Sequence, residues 1–192
     1  PFKTEDGNCA WLEASTYPSI GWNSLFSYMK NYQYTCTEQL SAKGLTMLYS
    51  MPMLSEANAA EAKKMLPEIL TSLYSRQLSN GGFSYWPGDT HTDEWVTSMA
   101  GELLVQAKAE GFDVNSGVIK NWLSYQKQCV RNYRTAKVYE LSDLTQAYRL
   151  YTMALARNAD EAAMNRMKES GNLSWQATMM LGSAYALCGK KS

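Results

Sequence analysis

The sequence predicts an all-α fold built from successive helical hairpins. Three observations predict it. Apolar residues recur at i, i+3 and i+4 through eight segments. Cap and breaker residues bound those segments. No strand-rich stretch interrupts them. The helix–loop–helix rhythm carries no firm internal repeat, and it points to a curved array or toroid.

Residues 1–19 read as a lead-in segment, with Trp11 to Tyr17 as a short strand or extended stretch, punctuated by Pro18 and Ser19. From Ile20 to Asn31, the residues Trp22, Leu25, Phe26 and Met29 keep helical spacing. A second helix runs from Thr37 to Ser50 and is ended by Met51-Pro52-Met53. Ser55 caps a third, with Glu56 in its first turn, extending to Gln77. Pro67 lies inside that pattern and predicts a kink or a break. A glycine-rich irregular region, residues 78–94, follows. Thr92 or Asp93 then caps a fourth helix that ends at Gly111. Asn115 or Ser116 starts a fifth, through Cys129, and a polar, basic link leads to a sixth over Leu141–Leu155. A short seventh, Asp160–Lys168, and an eighth, Ser174–Leu187 closed by Gly189, complete the series. The domain reading is a lead-in segment at 1–19 and one helical domain over 20–192.

The chain has 192 residues, enough for one domain with a substantial core. Formal net charge is +0, so electrostatics give no case for nucleic acid or an anionic membrane as partner. No apolar run approaches the ~18–20 residues of a membrane span. The chain starts at Pro1 with no signal-peptide pattern, and the expectation is a piece of a longer protein. The four cysteines, Cys9, Cys36, Cys129 and Cys188, are too widely spaced for a zinc ribbon or a Cys-x-x-Cys pair. Cys129 and Cys188 fall in helical patterns and read as core residues. A bridge between two of Cys9, Cys129 and Cys188 stays open. Neither a metal nor a cofactor is expected.

The chemistry-bearing stretch is Tyr34-Thr35-Cys36-Thr37-Glu38-Gln39. Residues three apart on a helix are surface neighbours. With a helix starting at Thr37, Cys36 and Gln39 face each other across its first turn. A thiolate there can attack the Gln39 side-chain carbonyl, expel ammonia and leave an internal thioester. The positive end of the helix macrodipole favours the thiolate. Unpaired backbone N–H groups of the first turn are expected to hold the oxyanion. The short spacing makes the reaction intramolecular. The alternative is an inert, buried Cys at a helix start.

This run resembles the Cys-x-Glu-Gln thioester motif of the α2-macroglobulin and complement family. Bacterial members commonly read Tyr-Pro-Tyr-Gly-Cys-x-Glu-Gln; here Gln33 stands for the Pro and Thr35 for the Gly. Gln77-Leu78-Ser79-Asn80-Gly81-Gly82-Phe83-Ser84-Tyr85-Trp86 resembles the family's Gln-x-x-x-Gly-Gly-Phe-x-x-Trp turn. The run Asp93 to Thr97, the run Gln146 to Arg157 and the stretches Leu173 to Ala177 and Leu181 to Leu187 resemble later helices, in family order. The resemblance implies an α/α toroid of helical hairpins, incomplete on its C-terminal side. It implies a protease-trapping module of an endopeptidase inhibitor, which acts once and is not an enzyme in the ordinary sense. Gln39 is then the acyl donor to a lysine amine of the target protease, and Cys36 the leaving group. Tyr34, Glu38, Phe83, Tyr85, Trp86 and Trp95 are the motif and shielding residues, with the three aromatics of the turn serving as packing groups or as a wall that excludes water. Neighbouring domains of the parent chain are the implied intramolecular partners, and an extracytoplasmic site, periplasmic or cell-surface, is the implied location.

Three other readings compete. A cysteine hydrolase or transglutaminase needs a base beside Cys36, and the chain's one histidine, His91, lies on the glycine-rich loop, where a solvated side chain is expected. A toroid enzyme such as a terpene cyclase needs clustered acids, whereas Asp89, Asp93 and Glu94 are scattered and capping accounts for Asp93. A structural or binding module with a free Cys36 is the remaining alternative.

Overall fold

The structure, a computed structural model, describes residue 16 and residues 20–33, 36–133, 140–171 and 173–189. Tyr34, Cys9, nearly all of the lead-in segment and the link 134–139 lie outside the described residues. Among the described residues the fold is all-helical, with eight α-helices: α1 (Trp22–Asn31), α2 (Thr37–Ser50), α3 (Glu56–Tyr74), α4 (Glu94–Ala109), α5 (Ser116–Asn132), α6 (Glu140–Leu155), α7 (Glu161–Glu169) and α8 (Trp175–Leu187). The expected Met51-Pro52-Met53 stop is a 3₁₀ turn, which tightens the end of α2. Pro67 does not divide α3, which runs as one helix through it.

Side-chain caps fix most of the starts. Ser55, Asp93, Asn115, Asp160 and Ser174 each accept first-turn N–H groups. Such caps are worth about 1 kcal/mol each relative to Ala. Two helices end in Schellman turns. After α4, Gly111 takes φ 86° while the Phe112 N–H reaches the Ala107 carbonyl at 3.0 Å. After α6, Arg157 occupies the equivalent left-handed position at φ 55°, with the Asn158 N–H on the Met153 carbonyl at 2.9 Å.

The even-numbered helices form one continuous row: α2 packs on α4, α4 on α6 and α6 on α8. The odd-numbered helices dock on that row, α3 against α2, α5 against α4 and α6, and α7 against α8. One core cluster joins α1 to α5 around Met47, Leu66, Leu103 and Trp122; a second joins α5 to α8 around Leu150, Met164 and Leu181. Helices α4 and α5 meet closely at Gly101, where a Cβ would stand 2.0 Å from the Trp122 ring. That ring is fully buried and its Nε1 donates to the Thr97 carbonyl at 2.9 Å.

The seam between α4, α5 and α6 is polar and satisfied. Arg149, 2% exposed, donates from Nε to Gln126 Oε1 at 3.0 Å, from Nη1 to Gln146, and from Nη2 to Glu94 at 2.7 Å. Gln126 in turn donates to Ser98 Oγ at 3.1 Å. A buried charge survives only when paired and hydrogen-bonded in this way. Cys129, beside this seam, and Cys188 are free thiols. Burial pushes the Cys129 thiol up from its ordinary pKa.

Candidate functional site: the Cys36–Gln39 turn

Helix α2 begins with a first turn that needs acceptors, and Cys36 supplies one. Cys36 is the N-cap, extended at φ −64°, ψ 160°, and its sulfur accepts the Gln39 N–H at 3.4 Å. The residue is 2% exposed. Sulfur and glutamine therefore share one turn, as their spacing predicts. The Gln39 carboxamide turns toward α1: Nε2 donates to the Tyr32 hydroxyl at 3.3 Å, and Oε1 is buried with no hydrogen-bond partner among the described residues. A cleft of about 910 Å³, lined by Tyr28, Tyr32 and Gln33 among others, lies at the end of α1.

The expected supply of free N–H groups for an oxyanion is narrowed. The Thr37 N–H is spent on the Tyr85 carbonyl at 2.9 Å, that of Gln39 on the sulfur, and that of Leu40 on the Cys36 carbonyl at 2.9 Å. The first of these bonds is tertiary, because the chain after the glycine-rich turn folds back onto the start of α2; the other two lie within the helix's own first turn.

The turn is built to do that. The Leu78 N–H meets the Gly82 carbonyl at 2.8 Å, and Gly81 adopts φ 94°, a conformation glycine adopts at little cost. A Cβ at Gly81 would also lie 2.2 Å from the Asn121 carbonyl oxygen of α5. Gln77 locks the turn by donating to the carbonyls of Gly81, at 3.1 Å, and Val118, at 2.9 Å. Phe83 is fully buried and bonds Thr97 and Asp93 of the α4 start. The Gln, the glycines and the Phe of this motif are thus a mechanical unit.

Ser84 and Tyr85 then reach α2. Thr37 Oγ1 donates to the Ser84 carbonyl at 2.6 Å, and the Tyr85 hydroxyl donates to Glu38 Oε2 at 2.7 Å. Arg76, 4% exposed at the end of α3, donates from Nη1 to Thr37 Oγ1 at 3.4 Å. Burial lowers the pKa of its guanidinium, and negative charge on Cys36 acts in the opposite sense. The Glu38 carboxylate first, and Cys36 next, hold the Tyr85 phenol protonated well above its usual range.

The other aromatics stand differently. Trp86 is 53% exposed and meets Tyr85 edge-on, ring centroids 5.5 Å apart. The expectation that the turn's aromatics are enclosed therefore holds for Phe83 and not for Trp86, because the chain leaves the α2 surface after Tyr85. Trp95 packs on Tyr148 of α6 at 4.9 Å. His91 has a side chain 91% exposed, beside Asp89, as expected of a loop histidine. Hydrogen bonds from the His91 and Thr90 backbone hold the Asp89 carboxyl below its ordinary pKa. Among the described residues no three His, Cys, Asp or Glu side chains gather as a metal site.

No family model matches the chain. Among curated proteins it is 30% identical over 121 residues to the alpha-2-macroglobulin of Xylella fastidiosa, covering 60% of this chain and 7% of that protein. It is 26% identical over 110 residues to the alpha-2-macroglobulin homolog of Yersinia pestis, covering 56% and 6%. Among solved structures, native alpha-2-macroglobulin of Escherichia coli, from domain MG7 to the C-terminus, superposes with TM-score 0.75 at 19% identity, over 90% of this chain and 29% of that one. Salmonella alpha-2-macroglobulin reacted with methylamine does so at the same TM-score and identity, over 90% and 12%. The segment is alpha-2-macroglobulin-like. It spans 6–8% of the length of the curated relatives it matches.

Three residues around the Cys36–Gln39 turn escaped sequence reasoning. Thr37 and Arg76 meet across 39 residues of chain, and nothing local marks either as a partner of the other. Tyr32 stands in the motif run, and its place there gives no hint of its bond to the Gln39 amide.

Proposed function

We propose that this segment is the covalent trap of an alpha-2-macroglobulin-like endopeptidase inhibitor, with Cys36 and Gln39 joined as an internal thioester. The observation that carries the reading is the buried Cys36 sulfur at the N-cap of α2, receiving the Gln39 N–H within the same turn. On this reading a lysine amine of a captured protease attacks the Gln39 carbonyl carbon. An amide forms, the Cys36 thiol is released, and the event happens once per molecule. Two similar structures support amine and protease reactivity for their own proteins: the Salmonella protein reacted with methylamine, and the trypsin-activated protein of E. coli. Tyr32 holds the Gln39 amide, Tyr85 bonds Glu38 of the same first turn, and the exposed Trp86 offers its ring to a neighbouring domain of a longer chain. Tyr34 completes the motif. The helical pairs form part of an α/α toroid, and the parent protein works outside the cytoplasm, in the periplasm or at the cell surface.

A second reading is a helical binding module with a free Cys36 thiol, because the N-cap role alone accounts for the sulfur's position. Intact mass decides. The trap is lighter than its sequence by one ammonia, and methylamine adds once and frees one thiol. A chain at full mass with a titratable Cys36 is the free-thiol module.

A further inference from the structure

We propose that Lys43 is an internal acceptor for the acyl group of Gln39: its ε-amine attacks the thioester carbonyl once α1 lifts, which forms a Gln39–Lys43 isopeptide bond and frees the Cys36 thiol. The inference rests on the thioester reading of Cys36 and Gln39. It gives that reading an ending when no protease amine arrives.

Gln39 and Lys43 stand four residues apart inside α2, and residues so spaced are neighbours on one helix face. The long, flexible stem of lysine lets its amine travel the length of a turn. Both side chains point to one place, because they meet the same residue. Gln39 Nε2 donates to the Tyr32 hydroxyl at 3.3 Å, while Lys43 Nζ donates to the Tyr32 carbonyl at 3.4 Å. A further bond from Lys43 Nζ, to the Lys30 carbonyl at 3.0 Å, completes its hold on the end of α1. The last carbonyls of a helix attract a cation in this way. The amine is thus occupied while α1 is in place.

Helix α1 is lightly fastened. It buries a single residue, Phe26, and its Gly21 N-cap makes no side-chain bond. Its ion pair, Lys30 to Glu61 at 2.6 Å, is part-exposed and adds little. Segments with few buried contacts open locally at low cost. Opening withdraws the Tyr32 hydroxyl from Gln39 and both carbonyls from Lys43 in one motion. Burial lowers the Lys43 pKa, which raises the share of neutral, nucleophilic amine.

The step balances. An N–C bond forms at the Gln39 side-chain carbonyl carbon as the C–S bond breaks. The ammonium gives up two protons in all, one to the departing sulfur and one to water. Nothing is oxidised or reduced. The product is an amide, which no longer acylates, so a trap that has missed its target falls silent.

The test holds the purified 192-residue chain, in thioester form, in urea below its unfolding midpoint until Cys36 is fully titratable. Intact mass then sorts the products. A crosslinked chain stays lighter than its sequence by one ammonia although its thiol is free, whereas a hydrolysed chain has gained water at Gln39. An amine held beside the acyl carbon reacts at a high effective concentration, so crosslinked chains should exceed hydrolysed ones by at least about 10-fold. Trypsin should no longer cut after Lys43, and fragmentation should join residues 39 and 43. Lys43→Arg keeps a cation for the α1 carbonyls, but a guanidinium stays protonated and accepts no acyl group; this variant should lose its thioester to water alone. Peptide mapping of the wild type carries the test should that variant not fold. Thiol release with water gained and Lys43 still cleavable, or a crosslink to another lysine, overturns the proposal and leaves the thioester standing. An equal yield of crosslink in Cys36→Ala overturns the route through the sulfur. A wild-type chain that starts at full mass with a titratable Cys36 overturns the thioester reading itself.

Discussion

Replacing Thr37 by valine tests whether the glycine-rich turn is held onto the reactive turn by this one side chain. Thr37 is fully buried, donates to the Ser84 carbonyl at 2.6 Å and accepts from Arg76 Nη1 at 3.4 Å. Valine keeps the shape, so no cavity term enters. What is lost is polar. An orphaned buried carbonyl costs about 1–3 kcal/mol, and a hydrogen bond to a charged group contributes about 1.5–3 kcal/mol, taken at its lower end here because 3.4 Å is long. The sum is about 3 kcal/mol. For a chain of this size each kcal/mol lowers Tm by about 2–4 °C, so Thr37→Val should melt roughly 6–12 °C below the wild type. The same slackening should let the chain near Tyr85 lift from Cys36 and speed iodoacetamide labelling of Cys36, read on its tryptic peptide. A urea unfolding curve within about 0.5 kcal/mol of wild type, with unchanged labelling, would refute the reasoning.

Other perturbations probe the framework. Gly101→Ala drives a methyl into the buried Trp122 ring, and overpacking of this kind costs about 1–3 kcal/mol by urea unfolding. Arg157→Gly relieves a left-handed backbone that costs an L-residue roughly 1–2 kcal/mol and should raise stability by about 0.5–1 kcal/mol after glycine's own entropy is counted. Glu94→Gln should destabilise by about 3 kcal/mol on urea unfolding, because it leaves the buried Arg149 guanidinium without its carboxylate partner. The pH dependence follows from Tyr148, whose phenol is held above its ordinary pKa first by burial and then by Glu102. The unfolded chain ionises that phenol first, so stability is fully present below about pH 10 and falls as pH rises beyond it. Urea curves from pH 8 to 11 should show the decline, with a shallower slope in Tyr148→Phe.

Local chemistry made the helices readable. The bounds of α2, and the caps Ser55, Asp93, Asn115, Asp160 and Ser174, follow from side chains that act within three residues of themselves. Helix α1 starts two residues later than its apolar pattern suggests, at a Gly21 N-cap with no side-chain bond. Helix α3 stops at Tyr74 rather than Gln77, because Gln77 pairs instead with Phe83 across the glycine turn. The left-handed Arg157 has no marker at all in the sequence. At the site, the Cys36–Gln39 turn was legible because three-residue spacing fixes it. The Arg76–Thr37–Ser84 clasp was not, because each bond joins residues dozens of positions apart, and pattern reading sees only neighbours.

The clasp also orders events in time. The bonds from Thr37 to Ser84 and from Glu38 to Tyr85 each span 47 residues. A chain emerging from the ribosome at ~5–20 residues per second exposes Cys36 for seconds before its covering segment exists. During that interval the sulfur sits on an unfinished helix, open to solvent and to oxidants. Synthesis of the 47 intervening residues thus sets the shortest interval in which the thiol is uncovered during biosynthesis, and no gain in folding speed shortens it.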